Sequence, residues 1–230
     1  MITVLRQFKK ALQPELKQYG FICYYNYFYR VINDVFQGFG LEKTHFRSYR
    51  ICFTIHPLCT ENPLNRHSCG SATVFEFEGK YGADFEINSF NKESVSINIA
   101  EMMRYMHTYL FPFFEQGTDS ETAYSTIYRF QKEHCSDVCS IYDSDYFYFS
   151  LKLRWYDKAL EHLNAMKMQN ENAYRRNCRV FEMPQSYHEQ HAKEMNDYAF
   201  LEDKILQKDE RYIQTFLNNN EQANRKRLRV

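Results

Sequence analysis

The sequence predicts an α+β fold in which one helix precedes an antiparallel sheet and several helices follow it. Three observations predict this class. Apolar residues recur at helical spacing at the N-terminus, aromatic and β-branched residues crowd the region that follows, and helical spacing returns in the second half. Strands grouped between helices are typical of α+β proteins, because doubly wound folds alternate the two. The 230 residues suffice to bury a sizeable core.

The first predicted element is an amphipathic helix that ends before Gly20. Its apolar stripe consists of Leu5, Phe8, Leu12 and Leu16. Pro14 lies inside this helix. Because proline lacks an amide donor and clashes with the preceding turn, we expect a kink or a division into two short pieces.

A β-hairpin is predicted next, because residues 21–32 are dense in aromatic and β-branched side chains and a second apolar run follows Asn33-Asp34. If Asn33-Asp34 is a two-residue turn, the register pairs Arg30 with Gln37. The two side chains then face each other between apolar pairs, which is an unusual position for a guanidinium. Asn-Asp is a weaker turn signal than Asn-Gly, so a wider loop would break this register.

Three further strands are predicted at residues 49–56, 73–77 and 85–99, the last with a turn near Asn91-Lys92. Residues 57–70 contain two prolines, two asparagines and a glycine, a composition typical of an exposed loop. The strands follow one another without intervening helices. The sheet is therefore expected to be antiparallel.

Helices are predicted to resume at about residue 100 and to include residues 120–130, 144–167 and 186–218. We therefore expect three parts. They are an α+β sheet domain at 1–117, a helical part at 118–217 that packs on it or extends from it as a hairpin, and a flexible basic tail at 218–230.

Composition bears on partners and compartment. Lys plus Arg and Asp plus Glu both total 29, so no overall field favours nucleic acid or a membrane, and neither is expected as a partner. The seven cysteines are odd in number and scattered, which is typical of reduced thiols in a cytoplasmic protein. Cys23 and Cys52 lie in strand patterns and are expected to be inert core thiols.

Several short motifs in the first quarter of the chain carry a family resemblance. They are Leu-Gln-Pro-Glu-Leu-Lys at 12–17, Tyr-Gly-Phe at 19–21, Phe-Tyr-Arg at 28–30, Gln37, and Phe-Thr-Ile at 53–55. With these motifs the chain resembles a bacterial family of domains of unknown function, DUF4304. The resemblance implies an α+β domain of a bacterial cytoplasmic protein and brings no activity, substrate or cofactor with it.

Motifs for phosphate and metal binding are incomplete. Gly38-Phe39-Gly40 lacks the third glycine and the following helix of a phosphate-binding loop, and we interpret its glycines as easing the strand twist or lying under the rings of Tyr27 and Tyr29. No candidate metal set has a second pair of ligands at matching spacing. These sets are Cys59 with His67 and Cys69, His134 with Cys135 and Cys139, and His188 with His191. We expect no metal and no cofactor.

Tyrosine offers the most informative functional pattern, since the chain has 19 tyrosines and 20 phenylalanines. Rings at Tyr25, Tyr27 and Tyr29 can stack on a ligand or on a partner's side chain, and Arg30 can hold an anion bidentately. The structural alternative, which we favour, satisfies Arg30 with Gln37 or a nearby carboxylate.

Two functional hypotheses follow. The first is a non-enzymatic interaction or accessory protein that binds a protein partner through a tyrosine-rich surface, and it is preferred because no coherent catalytic set is found. The alternative is a small-molecule-binding protein or enzyme that holds an anionic ligand at Arg30 and Gln37.

Overall fold

The computed structural model describes residues 4–60, 72–134 and 143–228. The helices of these residues are α1 (Val4–Tyr19), α2 (Lys92–Tyr105), α3 (Phe111–Gln116), α4 (Ser120–His134), α5 (Asp143–Lys152), α6 (Tyr156–Val180), α7 (Gln185–Leu206) and α8 (Glu210–Leu228). The strands are β1 (Ile22–Tyr24), β2 (Tyr27–Ile32), β3 (Val35–Lys43), β4 (Ser48–Pro57), β5 (Ala72–Thr73) and β6 (Phe85–Glu86). A 3-10 helix spans Val74–Glu78, and a π-helical segment, Met106–Leu110, joins α2 to α3. The predicted α+β class is confirmed.

The sheet is antiparallel, with strands β1 to β5 in sequence order and β6 paired with β4. Two compact units divide the chain, Met1–Ile141 with the sheet and α1 to α4, and Tyr142–Arg229 with α5 to α8. The division lies later than the predicted boundary near Gly117 because α4 packs on the sheet. The rings of Phe130 in α4 and Phe53 in β4 meet edge to face, 5.4 Å between centroids.

The core of the first unit lies between the sheet and the helices α1 and α3. Phe8 of α1 meets Phe28 of β2 edge to face at 6.1 Å, and Phe28 stacks on Phe39 of β3 at 4.9 Å. All three rings are fully buried, and burial of one such side chain stabilises the fold by about 1.5–3 kcal/mol. The helix α1 is continuous, with Pro14 inside it, so the expected division into two pieces does not occur.

The β2–β3 hairpin has the predicted register, in which Arg30 pairs with Gln37. Asn33 adopts a left-handed φ of 52°, which asparagine tolerates better than most residues, and this allows the two-residue turn. Alternate residues of each strand then share a face. As a result, Arg30 and Gln37 lie on the face that also carries Phe28 and Phe39.

Three of the predicted strands are wrong in extent. The run at 21–32 contains a turn at Tyr25-Asn26 that separates β1 from β2. Residues 73–77 leave the sheet after Thr73, because the Glu76 carboxylate accepts the backbone N–H of Thr73 and caps the 3-10 helix. Most of 85–99 is helical, because the Asn91 side chain accepts the N–H groups of Glu93 and Ser94 and starts α2.

The C-terminal helices also differ from the prediction. The predicted helices at 144–167 and 186–218 are each interrupted, at Arg154 and Lys208, where the backbone adopts left-handed φ values of 61° and 50°. The last helix continues to Leu228, so fraying after residue 218 is wrong for the described residues. Leu228 is buried, and that burial favours the ordered helix over a solvated end.

Gly40 on β3 lies beneath the ring of Tyr27, its partner on β2, as the sequence interpretation expected. A Cβ atom at Gly40 would lie 2.5 Å from a ring carbon of Tyr27, closer than real contacts allow. We therefore expect Gly40→Ala to lower the free energy of unfolding by about 1–3 kcal/mol, measured by urea denaturation. The same substitution in a Tyr27→Ala background should have a clearly smaller effect. Equal losses in both backgrounds would contradict this packing account.

Candidate functional site

Arg30 occupies a buried position where three elements of the first unit meet. Its Nε donates to Gln37 Oε1 at 2.7 Å, Nη1 donates to the backbone oxygen of Tyr19 at 2.8 Å, and Nη2 donates to Glu115 Oε1 at 2.6 Å. The guanidinium carbon also lies 4.9 Å from the centroid of the Phe21 ring. Arg30 thus connects the end of α1, the sheet and α3.

Gln37 completes this arrangement from the neighbouring strand. It is fully buried, and its Nε2 donates to the backbone oxygens of Phe114 and Gly117, both at 2.7 Å. The Phe114 carbonyl also accepts the Gly117 N–H at 3.2 Å, so Gln37 adds a second bond to this carbonyl and binds that of Gly117 just beyond the end of α3. We call Arg30, Gln37 and Glu115 the arginine clasp.

The arginine clasp confirms that Arg30 and Gln37 meet across β2 and β3. The geometry favours the structural interpretation, because the guanidinium already binds an amide oxygen, a carbonyl and a carboxylate. An anionic ligand would have to displace Glu115 from a 2.6 Å ion pair. Such an arrangement fastens helix ends to a sheet and does not present a charge to a ligand.

The three tyrosines predicted as a binding row occupy different environments. Tyr29 is buried and stacks on Phe36 at 5.7 Å between centroids. Tyr27 is half-buried and donates its hydroxyl to Glu42 at 2.8 Å; burial and this carboxylate raise the pKa of Tyr27. Tyr25 lies in the β1–β2 turn and is 74% exposed. Of these three residues, Tyr25 has the most exposed ring.

A groove of about 580 Å³ opens beside Tyr25, and we call it the Tyr25 groove. Its aliphatic floor is formed by Val4 and Leu5 of α1 and Leu41 of β3, of which Val4 and Leu41 are buried. Aromatic rings stand at its rim. The exposed rings are Tyr25, Phe46 and Phe90, both phenylalanines being 72% exposed, and the partly buried Tyr49 also lines the groove. Exposed apolar patches of this kind mark interaction sites more often than isolated exposed side chains do.

Backbone conformation also distinguishes Tyr25. Its φ of 53° lies in the left-handed region, which costs a non-glycine residue about 1–2 kcal/mol. Lys9 donates to the Tyr25 backbone oxygen and the Tyr24 ring meets the Tyr25 ring edge to face at 4.7 Å, which fixes the turn. Neither core packing nor backbone preference explains an exposed tyrosine at this position.

The two rim phenylalanines were missed by sequence reasoning. Phe46 and Phe90 lie in short connections, where they do not belong to a periodic apolar pattern. The available signal was a lone aromatic residue between polar neighbours, as in His45-Phe46-Arg47 and Ser89-Phe90-Asn91. The polar neighbours keep such a short segment at the surface, so its aromatic ring tends to stay exposed.

The other predicted candidates do not form a metal centre in the described residues. His191 of α7 stacks on Tyr174 of α6 at 3.8 Å, and its ring nitrogens lie 2.8 Å from Asn170 Oδ1 and 3.0 Å from Glu171 Oε2. His188 bonds the Tyr174 hydroxyl at 2.7 Å. Among residues 4–60, 72–134 and 143–228, no three His, Cys, Asp or Glu side chains are grouped to hold an ion. The candidates His67, Cys69, Cys135 and Cys139 lie outside these ranges.

Two cysteines illustrate how edge position decides burial. Cys52 on β4 is buried as expected, and burial raises the pKa of its thiol. Cys23 is exposed, so its predicted place in the core is wrong. The reason is that β1 forms the edge of the sheet and all three of its residues face solvent.

A second polar cluster surrounds the Glu78 carboxylate. Lys80 and Tyr105 donate to Oε2, each at 2.6 Å, and Arg104 and Tyr109 donate to Oε1, each at 3.1 Å. These hydrogen bonds, led by that from Lys80, lower the pKa of Glu78 to about 2. Because each oxygen has two donors, the carboxylate fixes the 3-10 helix against α2 and the π-helical segment.

This cluster predicts an acid-dependent loss of stability. A carboxylate whose pKa is lowered by folding stabilises the protein above its unfolded pKa of about 4.3, and that contribution disappears as the pH falls toward 2. We expect Glu78→Gln to remove about 1–2 kcal/mol at pH 7 and to differ little from the wild type near pH 2. Urea denaturation at several pH values measures both. Parallel stability profiles of the two proteins would contradict this account.

Comparisons with family models, with curated proteins and with solved structures return no match to this chain. The resemblance to DUF4304 therefore stays a prediction. None of the helices in the described part of the chain is both long and apolar enough to cross a bilayer.

Proposed function

We propose that this chain is a non-enzymatic protein-interaction domain whose Tyr25 groove receives an apolar side chain of a partner protein. One observation carries the proposal: three exposed aromatic rings, at Tyr25, Phe46 and Phe90, surround an aliphatic floor. Aromatic side chains around a desolvated pocket are typical of the residues that dominate binding energy at protein interfaces.

The lining of the Tyr25 groove supports binding in preference to catalysis. Its described lining includes the hydroxyl of Ser89 but no His, Asp or Glu, the side chains that most often activate such a nucleophile as a base. The floor is aliphatic, so a bound side chain gains from burial and not from polar contacts. An anionic ligand at Arg30 and Gln37 is the weaker alternative because the arginine clasp already occupies those donors.

We also propose a family relationship and a cellular compartment for this chain. The motifs at 12–17, 19–21 and 28–30 support a relationship to the bacterial DUF4304 family. Seven scattered cysteines, odd in number, support a reducing compartment and hence the cytoplasm.

A selection of random peptides against the purified protein tests the proposal. We expect selected peptides to bind the wild type and to lose at least about tenfold in affinity when Phe46→Ser and Phe90→Ser are combined, because the rim rings are removed. Phe181→Ser, which removes an exposed ring in the second unit, is the matched control and should leave binding unchanged. Peptides that bind the double variant as well as the wild type would contradict the proposal.

A further inference from the structure

A second groove, of about 690 Å³, lies on the first unit between α1 and α2. Ala11 of α1 and Val95 and Ile99 of α2 give it an apolar surface, and Lys10 and Lys92 lie beside them. We call it the α1–α2 groove. It resembles the Tyr25 groove in its chemistry, because that groove is lined by Lys9 and Lys43 as well as by its apolar floor.

Both grooves are lined by basic residues, although the whole chain has equal numbers of acidic and basic residues. Their described lining contains four lysines and neither Asp nor Glu. Lys9, Lys10, Lys43 and Lys92 form no ion pair with the described residues. Lys9 donates to the Tyr25 backbone oxygen and Lys43 lies 5.8 Å from the centroid of the Phe46 ring, so these two ammonium groups have neutral partners and keep their charge. Elsewhere in the described chain lysines do pair with carboxylates, as Lys152 does with Glu221 and Lys167 with Glu202.

Carboxylates near the Tyr25 groove are directed to internal partners. Glu42 accepts the Tyr27 hydroxyl at 2.8 Å, and Asp84 accepts Arg50 Nε at 2.8 Å. These acids therefore do not neutralise the groove lysines through direct contact. A partner with negatively charged side chains can therefore form ion pairs with these lysines.

Lys92 is placed where its own helix disfavours it. It is the first residue of α2, and the positive end of a helix dipole repels a cation. Its position is thus not explained by helix stability. Asn91 already caps this helix end and Glu93 lies in its first turn, so a carboxylate bound here would be attracted by the Lys92 ammonium.

The geometry of α1 allows one segment to reach both grooves. Successive helical residues project about 100° apart, so Lys9 and Lys10 face different grooves although they are neighbours in the chain. Lys9 and Lys10 are consecutive residues of α1, so the two grooves border each other along this helix. Phe90 at one groove and Lys92 at the other are likewise two residues apart.

We infer that the partner presents an acidic segment with an apolar anchor, which inserts the anchor into the Tyr25 groove and continues along the α1–α2 groove. Its carboxylates lie against Lys9 and Lys43 in the first groove and against Lys10 and Lys92 in the second. This inference rests on the proposed function and adds the chemistry of the partner. A peptide fits better than a nucleic acid, because the aliphatic floor suits a branched side chain and the chain as a whole carries no net positive charge.

The test uses phage-displayed random peptides of about 12 residues, selected on the full chain at low salt. We expect Asp and Glu to be enriched around one aromatic or aliphatic anchor. The affinity of a selected synthetic peptide should fall at least about tenfold between about 50 and 500 mM NaCl, because salt screens exposed charges. It should fall similarly when Lys43→Gln and Lys92→Gln are combined.

A matched pair of variants separates local from overall charge. Lys193→Gln with Lys208→Gln removes the same net charge from exposed positions in the second unit and should leave affinity within about twofold. Neutral peptides that need Phe46 and Phe90 but not the lysines would overturn the acidic partner and leave the proposed function intact. Peptides indifferent to Phe46 and Phe90 would overturn both.

Two further probes address other anionic partners. An oligouridine of about 20 nucleotides and vesicles containing phosphatidylserine should bind less tightly than the selected peptide and should be insensitive to Phe46→Ser with Phe90→Ser. Tighter binding of either probe, lost in that double variant, would overturn the inference of a protein partner.

Discussion

Gln37→Leu is expected to lower the free energy of unfolding by about 3 kcal/mol or more, which is among the largest effects of any single substitution in this chain. Leucine fills a similar volume but removes one acceptor and two donors from a fully buried position. Arg30 Nε and the carbonyls of Phe114 and Gly117 then lose their shared amide. Urea denaturation at neutral pH measures the loss, and Gln214→Leu on the exposed face of α8 is the matched control.

The partners of Gln37 refine this prediction. Glu115→Gln should cost clearly less than Gln37→Leu, because half of the Glu115 side chain is exposed and the glutamine oxygen still accepts from Arg30 Nη2. Arg30→Met and Gln37→Leu should be strongly non-additive, since each removes the same hydrogen bond. A Gln37→Leu protein as stable as the wild type would show that the arginine clasp does not fasten the helix ends. A large gain in ligand binding on loss of Glu115 would instead favour the anionic-ligand alternative.

Tyr25→Gly is expected to weaken binding of a selected peptide at least about thirtyfold while leaving stability unchanged or raised. The ring contributes contact area at the rim of the Tyr25 groove, so its loss removes an anchor of the kind that dominates interfaces. Glycine adopts the left-handed φ of this turn without the strain that a tyrosine carries, and this relief offsets the lost ring contact with Tyr24. Anisotropy of a labelled peptide and urea denaturation measure the two effects.

A matched control exists at the other hairpin turn. Asn33→Gly changes a residue with a similar φ of 52°, outside the described lining of the Tyr25 groove, and should leave peptide affinity unchanged. If Tyr25→Gly lowers stability as much as affinity, the tyrosine supports the fold. Loss of affinity at equal or greater stability assigns Tyr25 to binding.

The hairpin shows how far a sequence pattern can lead. Two runs of alternating apolar residues around Asn33-Asp34 were enough to pair Arg30 with Gln37, because turn length and register are coupled locally. The other two partners of Arg30, Tyr19 and Glu115, could not be predicted in this way. Glu115 lies 85 residues further along the chain, and its contact depends on how α3 packs on the sheet.

Helix boundaries failed for a different physical reason. Asn91 was interpreted as a turn residue, but its side chain caps α2. Asparagine favours turns and helix caps through the same local hydrogen bonds, so the residue type does not distinguish them. The interruptions at Arg154 and Lys208 carry no glycine or proline signal. A left-handed conformation at an arginine or a lysine depends on how the flanking helices pack. It cannot be predicted from the residue type.

The Tyr25 groove was only partly predictable. Tyr25 was named from the aromatic run, but its exposure arises from a turn that divides the run in two. Phe46 and Phe90 join it from connections about 20 and 65 residues away in sequence, and tertiary structure alone brings such residues together. The net charge of zero gave no indication of the groove lysines, because a local excess of basic residues is balanced by acidic residues elsewhere in the chain.

Titration of the 15N-labelled chain with a selected peptide, followed by NMR, tests most directly whether the Tyr25 groove binds a partner. The account predicts that amide shifts concentrate at the residues of both grooves, and that nuclear Overhauser contacts join the peptide anchor to the methyl groups of Val4 and Leu41. Shifts centred on Arg30 and Gln37, or confined to α5 through α8, with no contact to Val4 or Leu41, would contradict it.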